Sequence, residues 1–317
     1  MITAVHRMPA ELAFVVFTRT AFLGALVVVL AVASPHFLTS ANMVIVLRQA
    51  ALQFLMAAGL TLVVLTGGID LSIGAVLGLA ACLGAGFIAK GSVLLGVAAA
   101  LGAGLACGLV NGALVAYVGI PAFIATYGML WVAHGLGYVF MKGEVIHGFP
   151  AAFRTLGAGF VGGIAVPILI AAGILIVLHI VLHLTRFGRA LYAIGGNAVA
   201  AKLSGMPTKR YLVAVYALSG VLAAFAGLVV IARVNAADSG TGEELLLTAI
   251  AAVCLGGTSL FGGAGGVIGT AIGSLILALV INGMNMLNIA TFWQAFAMGV
   301  IVILAVFADV SFKRRMQ

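Results

Sequence analysis

The chain has 317 residues, of which 64% are hydrophobic and only 7% are charged, and its mean hydropathy is +1.32. A soluble domain is roughly half apolar and about a quarter charged, so this composition excludes a water-soluble fold and predicts an integral membrane protein. The net charge of +8 is attributed to cytoplasmic loops, and no nucleic-acid partner is expected.

Ten apolar stretches are candidates for membrane-spanning helices, since crossing a hydrocarbon core takes roughly 20 residues. They are residues 18–34, 43–66, 71–89, 92–117, 120–141, 161–184, 210–233, 243–256, 264–287 and 291–309. The first is expected to be a retained helix because no small-residue cleavage site follows it. The eighth is the shortest, and it is either a full crossing or a broken, re-entrant helix. The predicted fold is therefore an all-α polytopic bundle of about ten helices in one transmembrane domain, residues 1–317.

Basic residues set the predicted orientation. With the N-terminus inside, the cytoplasmic side receives Arg7, Arg19, Arg186, Arg189, Lys202, Lys209, Arg210, Lys313, Arg314 and Arg315, whereas the outer side receives Lys90, Lys142, Arg154 and Arg233. This asymmetry predicts that both termini are cytoplasmic in a bacterial inner membrane. Arg48 lies inside the second span, where we expect its side chain to snorkel to the outer interface.

An internal repeat relates the two halves of the chain, about 18–141 and 161–309. Residues 91–112 (GSVLLGVAAALGAGLACGLVNG) align without a gap on residues 262–283 (GGAGGVIGTAIGSLILALVING), and Asn111 meets Asn282. Five predicted crossings separate these spans, so they run in opposite directions and the repeat is inverted, as in many transporters. The alternative is a chance match in a glycine-rich apolar sequence.

The longest polar segment between spans covers residues 184–210 and has its own helix signals. Asn197 can cap a short helix over residues 198–203, and Gly205 followed by Pro207 ends it. A basic, capped helix on the cytoplasmic face suits docking to a soluble partner. An ordinary charged loop that only orients the protein is the alternative.

Five segments carry a family resemblance: GGIDLSIG (67–74), IPAFIATYG (120–128), RFGRALYAIGGNAVAAKLSG (186–205), IAAVCLGGTSLFGGAGGVIGT (250–270) and ATFWQ (290–294). In this order they resemble the ribose, xylose and galactose permeases of ABC importers, a superfamily shared with branched-chain amino acid permeases. The resemblance implies alternating access driven by a cytoplasmic ABC ATPase, which holds the ATP and Mg. It also implies a second permease chain, as a homodimer or a related heterodimer, and an extracytoplasmic solute-binding protein; this chain itself needs no cofactor.

The resemblance further implies that the segment over about 184–210 is the coupling loop that binds the ATPase. Its candidate contact residues are Arg186, Gly188, Arg189, Asn197, Ala200, Ala201, Leu203, Ser204 and Gly205. One departure affects the substrate: family members often carry Tyr-Glu-Leu-Asp before Ala-Ile-Ala-Ala, whereas this chain has Leu-Leu-Leu-Thr at 245–248. The solute is therefore left open among ribose, another sugar, a polyol and a signalling furanone.

Candidate pathway or gating residues are two glycines beside Asp70 and polar or aromatic residues on or near predicted spans. They are Gly67, Gly68, Asp70, Ser72, Asn111, Phe123, Asn282, Asn285 and Trp293. Asp70 has two interpretations, a cap of the following helix or a gating group. The asparagines suit a neutral polyhydroxy solute but could equally form helix-to-helix hydrogen bonds, and Phe123, Tyr127, Trp131 and Trp293 could stack on sugars or anchor at the interface.

Charged residues in two outer loops are the candidates for docking a binding protein: Glu144, Arg154, Asp238, Glu243 and Glu244. No Gly-Lys pair occurs, so the phosphate-binding loop of an ATPase is absent, and no catalytic residues or metal ligands are expected. The remaining alternatives are a secondary transporter driven by an ion gradient and a membrane scaffold or receptor.

Overall fold

The computed structural model describes the backbone of residues 8–316 and the side chains of residues 20–304, 306 and 307. Its helices are α1 (Met8–Ala33), α2 (Ser40–Leu65), α3 (Ile73–Ile88), α4 (Val93–Ala113), α5 (Ala122–Met141), α6 (Ala151–Ala158), α7 (Val166–Leu184), α8 (Arg186–Gly196), α9 (Ala198–Leu203), α10 (Thr208–Val234), α11 (Leu245–Leu255), α12 (Val267–Met286) and α13 (Thr291–Met316). A π-helical turn, Leu114–Val118, extends α4. The strands have two residues each: β1 (Ile146–His147), β2 (Phe160–Val161), β3 (Ile164–Ala165) and β4 (Ala236–Ala237).

The ten predicted spans correspond to ten apolar helices, which confirms the all-α membrane fold. Six helices are long and apolar enough to cross a bilayer: α2, α4 with its π turn, α5, α7, α10 and α12. Shorter apolar helices over Thr20–Ala33, Ile73–Ile88, Leu245–Leu255 and Thr291–Leu304 occupy the other four spans. The 11 residues of α11 rise only about 16 Å at about 1.5 Å each, which favours the broken-helix alternative for the eighth span.

Glycine contacts hold α4 against α10. Gly104 lies against Gly220, and Gly108 lies against the backbone of Tyr216, so a Cβ atom at either position on α4 would collide with α10. Close approach through small residues is the usual way in which helices associate in lipid. Residue numbers rise on α4 as they fall on α10, and the two helices are therefore antiparallel.

Helix directions confirm that the repeat is inverted. Helix α2 runs antiparallel to both α10 and α12. Because α4 is also antiparallel to α10, α2 and α4 run in the same direction, opposite to α12. The repeat segments in α4 and α12 therefore run in opposite directions. Four contacts establish these directions: Gly59 with Ser219, Gly68 with Tyr216, Thr61 with Thr270, and Asn42 with Asn282.

The loops gather at two ends of the bundle. The connector end holds residues 66–72, 119–121, 185–207 and 256–266, and the hairpin end holds residues 34–39, 89–92, 142–165, 235–244 and 287–290. Of the basic residues used to predict the orientation, Arg7 lies outside the described residues, as do the side chains of Arg19, Lys313, Arg314 and Arg315.

Two loops that the sequence predicts to lie on the outer side are joined at the hairpin end. Strands β1 and β4 pair antiparallel, with Ile146 opposite Ala237, and the backbone N–H of Phe149 donates to the side-chain Oδ1 of Asn235 (2.9 Å). Helix α6 lies on α10 through Gly157, which contacts the backbone of Arg233. The loop over 142–165 and residues 235–237 therefore form one surface.

Breaks between helices bring two glycine-rich segments together inside the bundle. A Cβ atom on Gly74 would lie 2.8 Å from the carbonyl oxygen of Gly242, and a Cβ atom on Gly242 would lie 2.7 Å from that of Gly74. Further along the same loop, the thiol of Cys82 donates to the carbonyl of Asp238 (3.2 Å). The segment 238–242 thus runs along α3 from the hairpin end towards the middle of the bundle.

Candidate functional site

The predicted coupling segment consists of two helices at the connector end. Thr185 Oγ1 accepts from the N–H of Gly188 at the start of α8 (3.3 Å), and Asn197 Oδ1 accepts from the N–H of Ala200 at the start of α9 (2.9 Å). Gly205 follows α9 at φ +83°, a left-handed conformation that glycine adopts without strain. The sequence-predicted cap, helix and stop are all confirmed.

Helix α8 is anchored to the bundle. Gly195 contacts the carbonyl of Leu65 and the backbone of Gly263 so closely that no side chain fits there. The hydroxyl of Tyr192 donates to the carbonyl of Gly265 (2.8 Å), and burial raises the pKa of Tyr192, which keeps this donor protonated. The segment is thus attached to the loop before α12 as well as to the end of α2.

The predicted coupling residues fall into two groups by burial. Gly188 and Ala201 are buried and pack within this chain, so they do not present a surface to a partner. Leu203, by contrast, exposes 83% of its side chain, and Val199 exposes 69%. The remaining members are exposed: Arg186, Arg189, Asn197, Ala200, Ser204 and Gly205.

Asp70 lies in a buried hydrogen-bond network at the break between α2 and α3. Its Oδ1 accepts from the N–H (3.0 Å) and the hydroxyl (2.6 Å) of Ser72, while its Oδ2 accepts from the hydroxyl of Ser219 on α10 (3.0 Å). Asn111 on α4 donates to the Ser72 hydroxyl (2.9 Å). Asp70 therefore stabilises the turn that leads into α3 and also links this turn to α10, so its sequence-predicted alternatives, capping and gating, both stay open.

Two buried polar atoms beside this network have no partner among the described residues. They are the side-chain oxygen Oδ1 of Asn111 and the hydroxyl of Tyr216. A Cβ atom on Gly68 would lie 2.6 Å from that hydroxyl, so Gly68 leaves the space that the Tyr216 side chain occupies. Gly67, at φ +80°, faces the carbonyl of Phe261 in the loop before α12.

The two asparagines predicted on α12 occupy different environments. Asn282 is buried and exchanges amide hydrogen bonds with Asn42 on α2, at 2.8 and 3.1 Å, which is the helix-to-helix role left open by the sequence. Asn285 is exposed and accepts from the Gln294 amide (2.7 Å). Asn42, which lies in the other half of the chain, was not singled out.

An aromatic stripe lies along one face of α5, where each ring contacts the next. It comprises Phe123, Tyr127, Trp131, His134 and Tyr138, with centroid separations of 6.1, 6.4, 6.1 and 4.7 Å. His134 Nδ1 lies 3.2 Å from Glu243 Oε1, a pairing that sequence reasoning missed because the partners lie in different halves. Phe123 also lines an apolar cavity of about 160 Å³ between α2, α5 and α11.

Other predicted residues lie at the hairpin end. Trp293, near the start of α13, is 52% exposed and packs edge-on against Phe296 (5.6 Å), away from the Asp70 network. All five predicted docking residues are exposed: Glu144, Arg154, Asp238, Glu243 and Glu244. The β1–β4 pairing joins the loops that hold Glu144, Arg154 and Asp238, whereas Glu243 and Glu244 follow the segment that runs along α3 towards the middle of the bundle. Glu243 therefore belongs to two candidate sites, since it also pairs with His134.

Comparisons with known proteins agree with this geometry. A sequence model of the family described as "Branched-chain amino acid transport system / permease component" matches residues 42–306. The ribose import permease protein of Escherichia coli (strain K12) is 39% identical over 289 residues, 90% of each chain, and that of Bacillus subtilis (strain 168) is 41% identical over 293 residues, 91% of each chain. The D-allose transport system permease protein of Escherichia coli (strain K12) is 36% identical over 247 residues, 76% of this chain and 74% of the relative. No solved structure matches this chain.

Proposed function

This chain belongs to the family of permease components of ABC importers, and on that premise we propose that it carries a sugar, or a similar neutral polyhydroxy solute, into the cytoplasm. A permease component is a transport subunit and not an enzyme, because a separate ATPase chain hydrolyses the ATP. An importer of this kind also uses a solute-binding protein. The protein is accordingly a multi-pass inner-membrane protein, and an ion-gradient-driven carrier does not fit its family.

The aromatic stripe on α5 is the observation that supports a sugar as the solute. Trp131 and Tyr127 expose 59% and 47% of their side chains, and flat aromatic faces can pack on the C–H faces of a sugar ring while polar tips bond its hydroxyls. Relatives named for ribose, allose and arabinose point to the same class. The Leu-Leu-Leu-Thr sequence at 245–248, which begins α11, leaves the particular sugar, polyol or furanone open.

The His134–Glu243 pair favours a water-filled pathway beside α5 rather than lipid. Glu243 is half exposed, and its partner His134 lies about 18 Å along the helix axis from the start of α5. A carboxylate facing hydrocarbon at such a depth is costly. We propose that a second permease chain, identical or closely related, encloses this face, and that Asp70, Ser72 and Asn111 act in the switch between inward-facing and outward-facing states.

We further propose that the connector end faces the cytoplasm and that α8 and α9 dock on the ABC ATPase, which binds ATP and Mg. The exposed apolar side chains of Val199 and Leu203 on α9 support this assignment, since an anchored apolar protrusion in water suits a protein partner. Five basic residues lie within or directly beside the connector segment that holds α8 and α9, namely Arg186, Arg189, Lys202, Lys209 and Arg210, and the positive-inside rule favours a cytoplasmic location for such a cluster. Both termini are then cytoplasmic, and the solute-binding protein docks at the hairpin end on Glu144, Arg154, Asp238, Glu243 and Glu244.

Cysteine labelling tests the orientation. The native cysteines Cys82, Cys107 and Cys254 are buried, so a membrane-impermeant maleimide should label the native protein only weakly. Leu203→Cys should be labelled in inside-out vesicles and not in intact cells, whereas Glu144→Cys should show the reverse. Labelling of Leu203→Cys from outside the cell would overturn the coupling assignment.

Uptake by reconstituted protein tests the solute class. Proteoliposomes that contain this chain, its ATPase and its binding protein should accumulate radiolabelled ribose, allose, arabinose or a polyol only when ATP is supplied. Branched-chain amino acids form the control set because the family model carries their name. ATP-dependent uptake of those amino acids without any sugar or polyol would refute the proposed substrate class.

A further inference from the structure

Two arginines of the hairpin end lie close together without an anionic partner. Gly59 on α2 contacts Leu222 on the antiparallel α10. Arg48 lies as many residues before Gly59 as Arg233 lies after Leu222. The two residues are therefore at the same height in the bundle. Arg233 also lies against Gly157 of α6, shortly before the β2–β3 hairpin, whose Phe160 ring lies over Arg48. Among the described side chains, neither arginine has a carboxylate within ion-pair distance.

The guanidinium of Arg48 presents an unfilled pair of donors. Its Nε and Nη2 atoms are buried and lack a hydrogen-bond partner among the described residues. These two nitrogens lie on one edge of the planar group, which is the edge that binds carboxylate or phosphate through two parallel bonds. Protein atoms thus enclose Nε and Nη2, and snorkelling of the Arg48 side chain to the outer interface stays a prediction.

A single aromatic ring covers this guanidinium. The Phe160 ring of the β2–β3 hairpin lies 4.9 Å from Arg48 Cζ, and a cation–π contact of this kind stabilises the charge. A ring stacked on the face cannot accept the in-plane N–H groups, so the need for an anion persists. Phe160 is 56% exposed, so its ring covers the guanidinium from the surface of the chain.

The surroundings of Arg48 indicate a ligand that arrives from the bilayer. Leu47, Phe160 and Val161 are exposed at 43%, 56% and 61%, so the surface around the guanidinium is apolar, as a site beside lipid requires. Buried unpaired arginine is costly, and two repelling guanidinium groups increase that cost unless a negative charge lies between them. In a membrane, the phosphate groups of lipid headgroups carry negative charge, and they lie at the level where membrane-spanning helices end.

We propose that Arg48 and Arg233 bind the phosphate of an anionic phospholipid headgroup between α2, α10 and the β2–β3 hairpin. The Nε and Nη2 donors of Arg48 bind two phosphate oxygens, and Arg233 neutralises the remaining charge. The lipid thereby connects the two central helices α2 and α10, in the leaflet at the hairpin end.

Lipid-dependent stability tests this site. Three delipidated proteins are compared: wild type, Arg48→Gln and Arg233→Gln. Each is titrated with dioleoyl phosphatidylglycerol, dioleoyl phosphatidylcholine or inorganic phosphate. The rise in apparent unfolding temperature is measured relative to the same protein without additive. Phosphatidylglycerol should stabilise the wild type at concentrations about tenfold or more below those needed by either variant, as expected for loss of a charge-assisted bond. Lys90→Gln, an exposed residue of the same end, should match the wild type.

Two further variants separate binding from folding. Arg48→Lys keeps the charge but loses the paired donors, so its affinity should fall between those of wild type and Arg48→Gln. Phe160→Ala removes the cover and should keep the phosphatidylglycerol response. Equal responses to phosphatidylglycerol and phosphatidylcholine, or an unchanged response in Arg48→Gln, would overturn the proposal. A full response to inorganic phosphate would overturn the lipid assignment and identify a soluble anion as the ligand.

Discussion

Replacing Leu203 by alanine should weaken binding of the ATPase without unfolding the permease. Full burial of a methylene contributes about 0.8 kcal/mol, and Leu→Ala removes three carbons, or about 2.4 kcal/mol. Because 83% of the Leu203 side chain is exposed in the single chain, a partner that covers it gains about 2 kcal/mol from these atoms. The dissociation constant should rise about 30-fold.

The assay is titration of the detergent-solubilised permease with its fluorescently labelled ATPase. Lys202→Gln, an exposed neighbour on the same helix, is the matched control and should change the dissociation constant little, and Leu203→Met should retain most of the affinity. The apparent unfolding temperature of Leu203→Ala should equal that of wild type. Wild-type affinity in Leu203→Ala would refute the docking surface, and a fall in unfolding temperature would show that Leu203 packs within the chain instead.

Three further predictions concern the interior and the pathway. Gly104→Ala should lower stability by about 1–3 kcal/mol because its Cβ atom would meet the α10 backbone, whereas Gly102→Ala, which meets nothing within 4 Å, should be neutral or stabilising in a thermal melt. Ser219→Ala should lower the free energy of unfolding by about 1.5–3 kcal/mol, because Asp70 Oδ2 loses its donor. Asp70→Asn should lower stability and uptake in parallel. A stable but inactive Asp70→Asn protein would support gating instead. Trp131→Ala should raise KM for sugar uptake about 2- to 10-fold at unchanged stability, and an unchanged KM would exclude the stripe from the pathway.

The spans could be predicted from the sequence because the bilayer imposes a length and a composition on every crossing helix. Asn197 and Gly205 could also be predicted, but for a different reason: a helix cap and a left-handed helix stop depend only on neighbouring residues. Two-residue strands such as β1 and β4 leave no comparable signal, because their pairing depends on loops from different halves. The joined outer surface therefore appeared only in the structure.

Side-chain partners were the least predictable feature of the candidate sites. Asn282 was identified as polar, but its partner Asn42 lies far away in the sequence, near the start of α2, and nothing local distinguishes a paired amide from one that faces a pathway. Ala201 looked like part of a docking surface because it lies on α9, yet helical periodicity turns it inward while Leu203 faces out. The ring of Phe160 was an unforeseen partner of Arg48, because a cation–π contact between distant segments leaves no local signal.

Helix α10 links the candidate sites physically. It begins directly after the α8–α9 segment, donates to Asp70 through Ser219 at its middle, and leads into Asn235, which holds the outer loop through Phe149. Its 27 residues extend about 40 Å and contain no proline. The Ser219–Gly220 pair is the kind of site where a helix can kink, but Gly220 packs directly against the backbone of Gly104 on α4. If the ATPase displaces α8 and α9, as proposed, the movement must either shift the hairpin end of α10 or break the contacts of α10 with α2 and α4. Since those contacts include backbone-to-backbone approaches at Gly104 and Gly108, movement of α10 together with its neighbours costs less than separation, and the Asp70 network then shifts with the helix.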